Sequence, residues 1–147
     1  MIILRHVTLP AATLTATPTG QNSVEVRVAN GMDDVEENST GSMYINSSDL
    51  ELVNDASNQV VGVRFVGVNV PKGATITNAY LQFKVDETSS DVTALSIQGE
   101  ASSNASAFAG TARNVSSRVR TTKAVRWSPS SWLTLGMVEA GQRTPNL

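Results

Sequence analysis

Apolar and polar residues alternate along most of this chain with a period of two. In "SVEVRV", Val24, Val26 and Val28 fall on one side and Glu25 and Arg27 on the other, the pattern of a half-buried strand. "DLELV" repeats it with Leu50 and Leu52. "QVVGVRFVGVNV" is the longest run, with Val61, Val63 and Phe65 inward and Arg64 outward. "PKGAT" then marks a turn: Pro71 presets φ, and Gly73 stands where a type I turn favours it. The chain returns in "AYLQFKV", with Leu81, Phe83 and Val85 sharing a face, and adds "ALSIQGE" and "KAVRWS" as shorter strands, the last closed by Pro129. Residues 101–117, "ASSNASAFAGTARNVSS", carry neither period and read as a long surface loop. No segment of helical length shows the 3.6-residue period. Many short strands with regular turn signals predict an all-β protein, a jelly-roll-like β-sandwich.

The opening "MIILRHVTLPAATLTATPTG" stands apart. Arg5 and His6 break its apolar run after Leu4, short of the roughly 7–15 apolar residues of a secretory signal. Ile3, Val7 and Leu9 then alternate with His6 and Thr8, and Pro10 and Pro18 confine any pairing to edges or strand ends. Residues 1–20 are therefore expected to form an extended N-terminal arm, and residues 21–147 the sandwich. Ile3, Val7 and Leu9 suit an apolar groove on a partner while the backbone adds to an exposed sheet edge. The alternative is an ordinary first strand of the chain's own sandwich.

Composition narrows the function. At 147 residues the chain fits one domain, large enough to hide roughly 68–70% of its unfolded surface. Only 16% of residues are charged and the net charge is −2, which excludes the strong positive field of a general nucleic-acid binder. No run approaches the ~20 apolar residues of a membrane span. The absence of cysteine removes disulfides, thiolate metal sites and a Cys nucleophile. Charge is nonetheless segregated. Residues 30–55 hold Asp33, Asp34, Glu36, Glu37, Asp49, Glu51 and Asp55 without a base, and residues 113–126 hold Arg113, Arg118, Arg120, Lys123 and Arg126 without an acid. Such blocks are solvated faces with internal ion pairs, or surfaces turned to a partner.

No catalytic residue is assigned. The single histidine, His6, lies in the arm, with no Gly-x-Ser-x-Gly elbow to complete a triad. Asp33, Asp34, Glu36 and Glu37 could supply a glycosidase pair, but adjacent strand residues point to opposite faces. The same four acids, followed by "STGS", offer hard oxygen ligands, and Ca²⁺ takes about 6–8 of them; a plain acidic loop is the alternative. Trp132, Tyr44 and Tyr80 are the candidates for stacking on a sugar ring, against a reading in which Trp127 is core and Trp132 plugs the end of the sandwich. The sequons at Asn38, Asn46, Asn104 and Asn114 are expected by chance in a Ser/Thr-rich chain.

The run from "VEVRVANGMDDVEE" through "VPKGATITNAYLQF" to "QRTPNL", about residues 24–147, resembles the DNRLRE-type jelly-roll modules of bacterial surface and secreted proteins, which are similar in shape to carbohydrate-binding modules. The resemblance implies a non-catalytic binding or structural role, with polysaccharide as ligand in some relatives. In that family a helix and closing strands normally follow the segment matching "QRTPNL"; here the sequence stops at Leu147. An open sandwich needs cover, from residues 1–20 or from a neighbouring subunit. The expectation is a virion subunit of the capsid-decoration (cement) type, or an extracellular lattice subunit, anchored through its arm. Its expected partners are other copies of itself and a major structural protein such as a capsid protein. The alternative is a glycan-binding adhesion module with polysaccharide as partner. Neither needs a cofactor beyond the Ca²⁺ already considered, and neither involves nucleic acid or membrane.

Overall fold

The computed structural model describes the backbone of His6–Thr8 and the whole of residues 23–147. The described residues are all-β in character, with no α-helix and one 3₁₀ turn at Ala140–Gln142. Among the described residues there are ten short strands: β1 His6–Thr8, β2 Ser23–Glu25, β3 Asp34–Glu37, β4 Met43–Ile45, β5 Asn54–Asp55, β6 Ser57–Asn58, β7 Val60–Val63, β8 Asn78–Tyr80, β9 Leu95–Ile97 and β10 Val125–Trp127. They gather into small open sheets ordered β2-β1-β8, β4-β3-β7, β10-β9 and β5-β6, with every pairing antiparallel.

A longer, irregular ladder extends the first sheet. The N–H of Leu147 donates to the carbonyl of Ala79, that of Thr144 to Leu81, and that of Phe83 to Gln142. Val85 exchanges bonds with Gly136 and Met137, and Ser89 and Trp132 bond each other in both directions at 2.8 Å. Residues 132–147 thus run antiparallel beside residues 79–89. Leu81 and Val85 are buried, as the alternation of "AYLQFKV" predicts, and Leu147 packs against the same core.

The core has two centres. One comprises Leu81, Leu95, Ile97 and Trp127, with Phe83 stacked on Trp127 at 5.6 Å. The other is Val35, Phe108 and Val115, and Val60 packs against both. Phe108 and Val115 belong to residues 101–117, so that segment is not simply a surface loop. Its lack of period reflects how it is held. The N–H of Phe108 donates to Met32, and Arg118 donates to the carbonyls of Asn114, Ser106 and Ala107. These bonds replace a strand ladder. Gly62 makes the close approach possible, because a Cβ there would meet Cζ of Phe108 at 2.7 Å.

Two further sequence expectations shift. "DLELV" is no strand: the N–H of Glu51 is taken by the Glu36 carboxylate, and Val53 turns to φ 70°. In "PKGAT" the bond runs from the N–H of Ala74 to the carbonyl of Pro71, with Gly73 at φ 84°. Positive φ at the third residue is the signature of a type II turn, not the type I turn expected.

Candidate functional site

The acidic stretch of β3 is the most unusual feature of the interior. β3 is the centre of its sheet, paired with β4 and β7, and successive side chains alternate between its two faces. Both faces are covered, so Val35, Glu36 and Glu37 are all buried.

Val35 and Glu37 share one face. There Oε2 of Glu37 accepts the N–H groups of Val115 and Ser116, both at 2.8 Å. These are charge-assisted bonds to backbone donors that have left any ladder. Asp34 and Glu36 share the other face. Oε1 of Glu36 accepts the N–H of Glu51 at 2.8 Å and the side-chain amide of Gln59 at 2.9 Å. Burial, together with the adjoining Glu51 carboxyl, pushes the Glu36 carboxyl up to about 7, against the donors from Glu51 N–H and Gln59. Burial also raises Asp34, opposed by a hydrogen bond from its own backbone and aided by the charge of Asp33. Asp33 forms an ion pair with Arg64, which in turn donates to the carbonyl of Ala105.

The four acids proposed as Ca²⁺ ligands are therefore dispersed over two faces of a strand and its preceding turn, with three of them bonded to protein donors. Among the described residues, no group of three or more Asp, Glu, His or Cys side chains is placed to hold a metal ion. The two charge blocks also do not pair with each other by ion pairs. The ion pairs among the described residues are Arg27–Glu25, Arg64–Asp33 and Arg118–Glu100. The blocks meet through backbone groups instead, at Glu37 with Val115 and Ser116 and at Arg113 with Gly41.

Beside the Asp34 face lies a groove of about 790 Å³. Residues 48–54 form one wall, residues 83–93 another, and Pro129 to Trp132 a third. Asp34, Asp49, Glu51, Asp86, Glu87 and Asp91 line it together with Lys84, so its field is negative. Phe83 and Trp132 present ring surface to it, while the same rings pack against each other and against Trp127.

The three aromatic residues expected to form a sugar platform lie apart. Trp132 is in this groove and packs on the core. Tyr44 is exposed on β4, across from Glu36. Tyr80 lies on β8, its ring under the guanidinium of Arg143 at 4.1 Å. Trp127 is buried in the core.

Of the arm residues, Val7 lies in β1, whose backbone pairs on one edge with Val24 and on the other with Ala79. That is pairing within one chain, and it leaves neither edge of β1 open for addition to a neighbour. Ile3 and Leu9, like the boundary between residues 20 and 21, fall outside the described residues.

Sequence reasoning placed Arg118 in a basic block but missed its role in the interior. It bonds Glu100 and the carbonyls of residues 106, 107 and 114, and stands over the Phe108 ring at 4.3 Å. The sequence shows Arg118 only as one member of the basic block 113–126, and no periodic signal sets it apart from its neighbours.

No helix among the described residues is long and apolar enough to cross a membrane. No protein-family model matches the chain, and no curated protein or solved structure is similar to it.

Proposed function

We propose that this chain is a non-catalytic structural protein, a jelly-roll-like subunit of an assembly such as a virion decoration layer or an extracellular lattice. The observation that carries the reading is an apolar surface within residues 133–138, where Leu133 is 69%, Leu135 64% and Val138 52% exposed. The bonds of Gly136 and Met137 to Val85 hold the backbone of this turn, while these three side chains stay in solvent. Clustered exposed aliphatics of this kind mark contact surfaces, and each side chain contributes about 1.5–3 kcal/mol once buried. The buried acids support the same reading, because Asp33, Glu36 and Glu37 are spent on hydrogen bonds that close the fold. The resemblance to DNRLRE-type modules fits it as well.

Sedimentation velocity tests the proposal. The wild-type chain should associate with itself as its concentration rises, and a Leu133→Ser/Leu135→Ser/Val138→Ser variant should stay monomeric with an unchanged melting temperature. A wild-type chain that remains monomeric throughout would overturn it.

A second reading, a glycan-binding module, is favoured by the groove, where Trp132 and Phe83 stand among Ser, Thr and carboxylate groups. Retardation of the chain in a polysaccharide-containing gel, abolished by Trp132→Ala, would select it.

A further inference from the structure

The groove beside β3 and the basic segment carry opposite charges that the chain does not neutralise within itself. Asp86, Glu87 and Asp91 stand exposed on the 83–93 wall of the groove, and none of them enters an ion pair among the described residues. Val92 is fully exposed on the same wall. The third wall, Pro129 to Trp132, runs directly into the exposed Leu133, Leu135 and Val138. Lys84, the one base lining the groove among the described residues, leans toward that turn: a Cβ on Gly136 would lie 4.0 Å from its Cε. Groove and apolar turn therefore adjoin as one surface.

The positive charge is carried on a sheet edge. Residues 119–127 run antiparallel beside residues 95–101: the N–H of Ala101 donates to the carbonyl of Val119, that of Thr121 to Gly99, and β10 pairs with β9. On its other side this segment has no backbone partner among the described residues. Val119, Lys123 and Arg126 are exposed along it, and neither base meets a carboxylate in an ion pair among the described residues. None of residues 119–127 lines the groove of its own chain.

We propose that the basic edge of one copy, residues 119–127, docks in the acidic groove of a second copy, with Lys123 and Arg126 against Asp86, Glu87 and Asp91.

This inference rests on the assembly reading above and names the surface that a second copy presents to the groove and its apolar turn. Opposite charges steer the two surfaces together and set their register. Val119 on the edge and Val92 on the groove wall give each side an apolar residue to bury beside its charges. Two basic edges repel, so the edge does not pair with the same edge of another copy. A groove that takes an edge is a heterologous contact. Repeated from copy to copy, it builds a ring or an open filament.

Sedimentation velocity on variants of one face at a time tests the docking. Lys123→Glu/Arg126→Glu reverses the edge, and Asp86→Lys/Glu87→Lys/Asp91→Lys reverses the groove. All five side chains are exposed, so both variants should melt like the wild type. Each alone should stay monomeric at concentrations where the wild type associates. An equimolar mixture of the two should associate again, because every groove then meets an edge of opposite charge. Raising the salt from about 0.05 M to about 0.5 M should weaken wild-type association about tenfold. Should a reversal fail to fold, Lys123→Gln/Arg126→Gln removes the charge alone and should weaken association about tenfold. Reversed variants that associate like the wild type would overturn the docking and leave the assembly proposal standing. So would a mixture that stays monomeric. A wild-type chain that is monomeric throughout would overturn both. A monomeric wild type that binds polylysine, with binding lost in the groove variant, would give the groove to another basic chain and overturn the contact between copies.

Discussion

Replacing Phe108 with alanine should lower the free energy of unfolding by about 3–5 kcal/mol, a large part of the ~5–15 kcal/mol that holds a typical domain together. Phe108 is 1% exposed and packs with Val35 and Val115. It also carries the Arg118 guanidinium on its ring. Removing it leaves a cavity walled by β3 and β7, whose strand pairing resists collapse, and takes from residues 101–117 their main apolar anchor. In a thermal melt the loss should appear as a drop on the order of 10 °C. Gly62→Ala attacks the same contact from the opposite side, by placing a methyl 2.7 Å from Cζ of Phe108, and should cost about 1–3 kcal/mol by overpacking. In the double variant the new methyl points into the space that the ring has vacated, so the double variant should lose less than the sum of the two single losses. Strict additivity would show that the ring does not lie against Gly62.

Glu37→Ala should be nearly as severe, at about 3–5 kcal/mol. Glu37 is 2% exposed and receives two backbone N–H groups. Hydrogen bonds to a charged acceptor contribute about 1.5–3 kcal/mol each, and donors left buried without a partner cost a comparable amount. Glu37→Gln keeps an acceptor oxygen at the same place and loses only the charge assistance, so it should cost about 1 kcal/mol. Urea denaturation of the two variants separates the roles. If alanine and glutamine cost the same, the acceptor at Glu37 is not what holds Val115 and Ser116.

Those two residues also mark what the sequence could and could not disclose. Alternation reveals a strand wherever one face is wet and the other dry. Leu81 and Val85, Leu95 and Ile97, and Val61 and Val63 were legible for that reason. β3 defeats the same logic, because both of its faces are covered and the second is covered by polar groups. "DVEE" then reads as solvated charge although all but Asp34 is buried. Phe108 and Val115 were hidden for a related reason. Their segment is fixed by side-chain-to-backbone bonds from Glu37 and Arg118 that span distant parts of the chain, and such bonds leave no periodic trace. "DLELV" failed in the other direction. Its alternation is real, yet the Glu36 carboxylate takes the N–H of Glu51, and the segment becomes a strap. The candidate site was half legible: the acids and Trp132 could be picked out, but not that Asp34 and Trp132 line one groove while Glu37 faces away from it.

If the buried acids of β3 serve the fold and hold no ion, Ca²⁺ has nothing to bind there. A melting curve recorded with millimolar Ca²⁺ and again with excess chelator is the most direct measurement. A cation that binds only the native state would stabilise it by about 2.7 kcal/mol at a hundred times its dissociation constant, a shift of several degrees. The expected result is two superimposable curves, since Asp33, Glu36 and Glu37 are already bonded to Arg64, Glu51, Gln59, Val115 and Ser116. A melting temperature that rises with Ca²⁺ and falls back on chelation would contradict it and return the acidic stretch to the role of a metal site.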